Sequence, residues 1–325
     1  MASSTKRQTA TPDFLEDTSV TPLEKESLKS VDLKKGLEFF GGEVIVHVAN
    51  QIGSRQKAYQ LLYELYLEMG ITKRNGDGLW LSIHDALPET TTFFAIGDRG
   101  TVEGALTTVF ESAIGLPADQ LYKKEIDTIR HAGEHICEII SLGIKKSGKA
   151  SIKILASLFY CAFLHAWKGE NATEFVITVH SDYEDFYHQR VAFEKLGPER
   201  NYAKVNEAPT VLLNLSLMEV DRLRRKQRLF PFYMLNRPDQ EELELAKRIK
   251  KMSSPMSDEE FFTFFIDKTN IWENASPQQK DFIKQVYPAN AVNHYAVSRA
   301  MAKGFSTKNR NVDDPPNKAT KVVGQ

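Results

Sequence analysis

The residue best placed to do chemistry is a lone carboxylate in an apolar strand. Glu134 to Ile144 reads as a strand, and alternation puts Ile136, Glu138, Ile140, Leu142 and Ile144 on one face. Glu138 is the only ionisable group in that row. Desolvation disfavours the charged form of a carboxylate, which moves its pKa toward the range where a general base works at neutral pH. A structural role is the alternative: Glu138 pairs with an arginine, or sits at a bulge facing water.

Three further segments could contribute. The loop Lys145-Lys-Ser-Gly-Lys-Ala150 leads from this strand into a helix. Its Ser147, Gly148 and Lys149 would offer backbone N–H groups and positive charge to a phosphate, although lysine-bearing surface turns are common. Tyr187, in the run Phe186 to Gly197, has a hydroxyl that could donate a proton, or it is a core aromatic. The densest basic run is Arg222-Leu-Arg-Arg-Lys-Gln-Arg228. It is a solvated helix end or a docking patch for an acidic partner.

The elements that must position these residues can be read from periodicity. Glu43 to Ala49 alternates as a strand. Ser54 to Met69 repeats apolar residues at helical spacing, with Ser54 as the expected N-cap and Gly70 at its end. Strands follow at Thr90 to Ile96 and Val102 to Phe110, joined through the Gly97–Gly100 turn. Residues 118–131 are amphipathic. Ser151 to Trp167 is apolar on most sides and should be a deeply packed helix. Then come a strand at Glu174 to His180, a helix at Tyr183 to Leu196, and strands near Tyr202 to Val205 and Thr210 to Leu217. After residue 218 the pattern becomes helical and charged.

Composition bounds the function. The 325 residues hold 42% hydrophobic and 26% charged side chains, enough apolar surface for a core. A formal net charge of -1 gives no general attraction to nucleic acid. Cys137 and Cys161 lie in apolar runs and read as buried free thiols of a reducing, cytoplasmic compartment. No metal-binding pattern is visible. The start of the chain lacks an apolar signal region. The apolar stretch Ile154 to Leu164 is shorter than the roughly 20 residues that span a bilayer.

The order of elements looks like the GNAT acyltransferase fold: α/β, a mixed central sheet flanked by helices, here with a C-terminal helical extension. The motifs are more specific. Gly104 to Pro117, Glu125 with Arg130, Glu138 to Leu142, His180 to Tyr187 and Tyr202 to Pro209 resemble, in this order, the long-chain N-acyl amino acid synthases. These are relatives of the acyl-homoserine-lactone synthases. The likeness spans about residues 43–217 and continues through Phe230 to Tyr233, Ser257 to Phe262 and Val286 to Pro288.

The resemblance implies an N-acyltransferase. A fatty acyl group on acyl carrier protein, or on coenzyme A, would pass to the amino group of an amino acid or related amine. The acyl-phosphopantetheine is then a substrate, and no permanently bound cofactor is expected. Glu138 would be the base, and backbone N–H groups of Ile139, Ile140 and Ser141 would meet the oxyanion and the pantetheine. Tyr187 would protonate the departing thiolate. Arg222, Arg224, Arg225, Lys226 and Arg228 would dock the acidic carrier. Several departures stand out: Leu62 and Ser141 replace arginines, Glu207 replaces a glycine, and Ala105 a threonine. The coenzyme A loop pattern of ordinary acetyltransferases is missing. A degenerate module that only binds acyl chains or carrier protein therefore stays open, as does an acyl-homoserine-lactone-type synthase. The expected layout is a flexible tail over 1–35, a catalytic core over 36–218, a helical extension over 219–302 and a disordered tail over 303–325.

Overall fold

The computed structural model describes residues 36–97, 100–145, 148–224, 229–235 and 237–287. Both expected tails, residues 288–302, and Ser147, Arg225, Lys226 and Arg228 lie outside these. The described residues fall into two compact units, divided between Met256 and Ser257.

The first unit is built on one sheet. Its strands are β1 (Leu37–Phe39), β2 (Val44–Val48), β3 (Thr91–Ile96), β4 (Val102–Phe110), β5 (Ile136–Ile144), β6 (Glu174–His180), β7 (Glu194–Lys195), β8 (Arg200–Tyr202) and β9 (Ala208–Ser216). They pair in the order β1-β2-β3-β4-β5-β6-β9-β7, with β8 also on β9. Every pair is antiparallel except β5 with β6. That parallel pair runs only from Ile136–Glu174 to Glu138–Val176, after which the two strands part. This is the mixed, helix-flanked sheet of the GNAT fold.

Helices cover both faces. On one side α1 (Ile52–Glu68) lies so close that a side chain at Gly143 would sit 2.9 Å from Leu65. On the other, α3 (Lys149–Phe163) continues as a π-helix through Leu164–Gly169. By length and composition this whole stretch could cross a bilayer, yet it is mostly buried within the protein. Its apolar residues Leu158 to Leu164 join the main core with Cys137, Ile139 and Phe175. Both cysteines are buried and free. Between β4 and β5 runs α2 (Asp119–His131).

Three expectations need correcting. Gln51, not Ser54, caps α1; Ser54 sits three residues inside and closes a reciprocal capping box with it. The helix expected over Tyr183 to Leu196 is present but stops at Val191, running from Ser181 through 3-10, α and π turns, because Ala192 takes a left-handed φ of 66° and Glu194–Lys195 pair with β9. Finally, residue 218 is not where the core ends. The next helices, α4 (Leu217–Leu223) and α5 (Asp239–Met252), complete it. Phe232 packs edge-on to Phe163 at 4.8 Å, and Leu245 and Ile249 join the same cluster. Beyond α5, Asn50 and Arg55 each donate a 2.9 Å hydrogen bond, to the carbonyls of Met252 and Ser254. The first unit therefore keeps this segment.

The second unit holds α6 (Asp258–Phe261), a π-helical turn, α7 (Ile271–Asn274) and α8 (Pro277–Val286). Phe261 is its hub, stacked on Tyr287 at 4.4 Å and on Phe265 at 5.1 Å, with Trp272 edge-on.

Candidate active site

Glu138 is the last residue of β5 that pairs with β6, so it sits at the fork where the strands part. It is 2% exposed and has no arginine partner among the described residues. Its Oε2 accepts a 2.9 Å hydrogen bond from the Ala118 N–H, at the start of α2. Burial pushes its carboxyl up to about 8; the Ala118 bond and the charge of Lys204 pull the other way, and Asp119 and Glu111 push with burial. This is a carboxylic acid poised near neutrality.

Just past the fork the strand is bulged. Thr107 faces Ile140 and Ala105 faces Gly143, so Leu106 alone spans Ser141 and Leu142. Ser141 takes a left-handed φ of 54°. The bulge changes the expected face. Before it, Cys137 and Ile139 point into the α3-side core; after it, Leu142 and Ile144 do. Strict alternation fails, and Leu142 and Ile144 do not share the face of Glu138.

Two aromatic residues brace the bulge. Trp80 Nε1 donates to Ser141 Oγ at 3.1 Å, and Tyr66 Oη donates to the Leu142 carbonyl at 3.0 Å. Their rings meet edge to face at 4.9 Å. Tyr187 is half-buried against Phe159, Phe186 and Phe193. It is near enough to Tyr66 to raise that hydroxyl's pKa, behind burial, and burial raises its own as well. Both phenols are therefore protonated at neutral pH.

A cationic corner adjoins the carboxyl. Lys204 Nζ lies 5.6 Å over the Trp80 ring. Its surface reaches solvent, while desolvation still lowers its pKa against the pull of Asp85 and Glu138. Asp85 is buried, and burial raises its carboxyl despite hydrogen bonds from the Ser82 N–H at 2.7 Å and hydroxyl at 3.1 Å. Buried His84 donates to the backbone of Gly115, leaving Nε2 with no hydrogen-bond partner among the described residues. Burial, and then Lys204, lower its pKa to about 4, so the ring is neutral.

The other expected site residues are spread out. Ile139 is buried, and Ile140 and Ser141 are half-buried along the fork. Gly148, with φ 73°, caps the exposed start of α3 at Lys149. Arg222 is exposed and paired with Glu219. Arg224 is not a surface residue: it is 5% exposed and its guanidinium binds the buried carboxylate of Glu242, which also accepts from Tyr160 at 2.7 Å. It cannot present charge to a partner. Glu125 and Arg130 do not pair with each other; Glu125 pairs with Arg200, and Arg130 with Asp119, Glu111 and Asp127. Among the described residues no group of three or more His, Cys, Asp or Glu could hold a metal ion.

Sequence reasoning did not single out Tyr66, Trp80, His84, Asp85 or Lys204. The run Tyr202 to Pro209 carried Lys204 without marking it. Nothing local connects residues 66, 80, 84 and 204 to a strand at 138; only the fold does.

The mixed sheet with its fork and bulge, flanked by helices, has the arrangement of a GNAT-like fold. Residues 57–216, just under half of the chain, match the family model described as N-acyl amino acid synthase FeeM. Similar solved structures include FeeM, an N-acyl amino acid synthase from uncultured soil microbes. It is 20% identical over 57% of this chain and 94% of that one, with a TM-score of 0.49. The acyl-homoserine-lactone synthase LasI is 16% identical over 54% of this chain and 90% of its own, with a TM-score of 0.41. The ribosomal-protein-S5-alanine acetyltransferase from Vibrio fischeri is 12% identical over 56% and 96%, with a TM-score of 0.39. No curated protein sequence matches the chain.

Proposed function

We propose that the chain moves a fatty acyl group from the phosphopantetheine thioester of acyl carrier protein to the amino group of an amino acid or related amine. Glu138 carries this reading: a buried carboxyl with a pKa near neutrality at the fork of the sheet. An amine attacks a thioester only when neutral, so a proton must leave the ammonium. Glu138 takes that proton, directly or through water. The nitrogen then bonds to the carbonyl carbon, and the oxyanion that forms meets backbone N–H groups of the bulged stretch, Ile139 to Ser141. The C–S bond breaks as the intermediate collapses. Tyr187, held protonated by its surroundings, delivers a proton to the thiolate.

The donor fits the same fork. Beyond Glu138 the β6 side of β5 has no strand partner, which suits a pantetheine arm added as an extended chain. The exposed start of α3 at Gly148 and Lys149 suits its phosphate. Arg222 stays a candidate contact for the acidic carrier, while Arg224 does not. Carrier-bound acyl chains of this kind place the reaction in the cytoplasm. Acyl-coenzyme A is the second donor to try.

Two observations favour keeping the degenerate binding module as a second reading. Leu62 is buried in the core beneath β5, and Ser141 is committed to the bulge, so neither position has room for the arginine of the family pattern. Incubation with acyl carrier proteins of several chain lengths and a panel of amino acids, read by mass spectrometry, separates the two. The enzyme reading predicts N-acyl amino acid and free carrier thiol in equal amounts. Carrier binding without any acylated amine would leave the binding module.

A further inference from the structure

The acceptor's charge should find a counterpart in the site, and the family's arginines are missing. Lys204 is a cation whose charge acts on Glu138. It makes no ion pair within 4 Å among the described residues, although Asp85 and Glu138 are both near enough to act on it. Its ammonium rests over the Trp80 ring, and Trp80 is hydrogen-bonded into the bulge beside the reacting carbonyl's expected seat. The charge of Lys204 also acts on buried His84, whose neutral ring has an Nε2 that can accept a hydrogen bond but cannot donate one. An exposed cation thus lies within electrostatic reach of a buried carboxyl and a buried acceptor nitrogen. That set complements a zwitterion, with its carboxylate on the cation and its ammonium on the acceptors.

We infer that Lys204 is the carboxylate anchor of the acceptor, so that the site selects an α-amino acid with a free carboxylate over its amide or a simple amine. The inference rests on the acyl-transfer reading. The structural role that Lys204 could have instead, holding Glu138 and Asp85 in balance, predicts a change in kcat rather than in acceptor affinity.

The test uses the full chain at pH 8, where about half of Glu138 is ionised and Lys204 keeps more of its charge than at higher pH. Acyl carrier protein charged with fatty chains is the donor. The probes are the twenty common amino acids and the carboxamide of each one that is accepted. Wild type should use the acid at least ten-fold better than its amide in kcat/KM. Lys204→Gln should raise KM for the acid about 10–100-fold, hold kcat within a few-fold, and erase the preference for acid over amide. Lys204→Arg should recover most of the loss. Equal use of acid and amide by wild type, or a fall in kcat at unchanged KM in Lys204→Gln, would overturn the anchor. If no variant transfers acyl groups, thermal shifts with the same acids and amides decide. Stabilisation by acids alone, lost in Lys204→Gln, keeps the anchor while the transfer reading falls. No acid-specific shift overturns both.

Discussion

Glu138 is unusual in that its surroundings oppose its charge, and that opposition has a measurable sign. Its carboxyl titrates at about 8 in the folded protein against an ordinary 4.5. Between those values the folded state holds the proton more tightly than the unfolded one, so stability falls as pH rises through this window. The penalty is complete above about pH 8 and is on the order of 5 kcal/mol. Glu138→Gln keeps the shape and removes the titration. The variant should gain in melting temperature over wild type at pH 9 and show no such gain at pH 4. Parallel melting curves at both pH values check this; an equal difference at both would mean that Glu138 is not buried against its charge. This residue was legible in the sequence because an acid in an apolar row is rare. Lys204 and His84 were not, because a lysine or histidine in a loop carries no signal until the fold brings a carboxyl beside it.

At the scale of elements, the proposed acyl transfer rests on the bulge in β5. A regular strand would send Ser141 and Leu142 to fixed alternate faces; the extra residue turns the backbone and opens the fork. Trp80 and Tyr66 hold that geometry from outside the sheet. Trp80→Phe keeps the ring but loses the indole N–H. It should lower kcat by about ten-fold with KM for the acyl donor nearly unchanged, since losing a positioning bond misplaces the oxyanion donors more than it weakens binding. Steady-state kinetics of the pure variant check it, and wild-type kcat would show that the brace is idle. The strands and the long helices were visible as periods of two and 3.6. The bulge was not, because a left-handed serine leaves no mark in hydrophobic alternation. The helix expected through Leu196 failed for the same reason at Ala192. Glu207, where the family pattern has glycine, also takes a left-handed φ of 60°. The departure was visible in the sequence, but its conformational meaning was not.

Over the whole molecule, the change of pattern after residue 218 marked a change of element type and not the end of the core. Arg224 shows why. Within a basic run it read as a surface charge, yet α4 and α5 fold over α3 and bury it on Glu242 and Tyr160. Charge runs are read as solvated until a buried partner is found, and that partner is 18 residues away. The net charge of -1 therefore says little about docking. The basic run offers a carrier less surface charge than the sequence suggested: of its described arginines, Arg222 is exposed and Arg224 is buried.

The central claim is that this fork performs acyl transfer through Glu138, and kcat measured against pH tests it most directly. With acyl carrier protein as donor, wild-type kcat should rise with pH and level off above an apparent pKa near 8. Glu138→Gln should be slower by about 10²-fold or more, with no inflection there. A variant that matches wild type in rate and in pH profile would contradict the account.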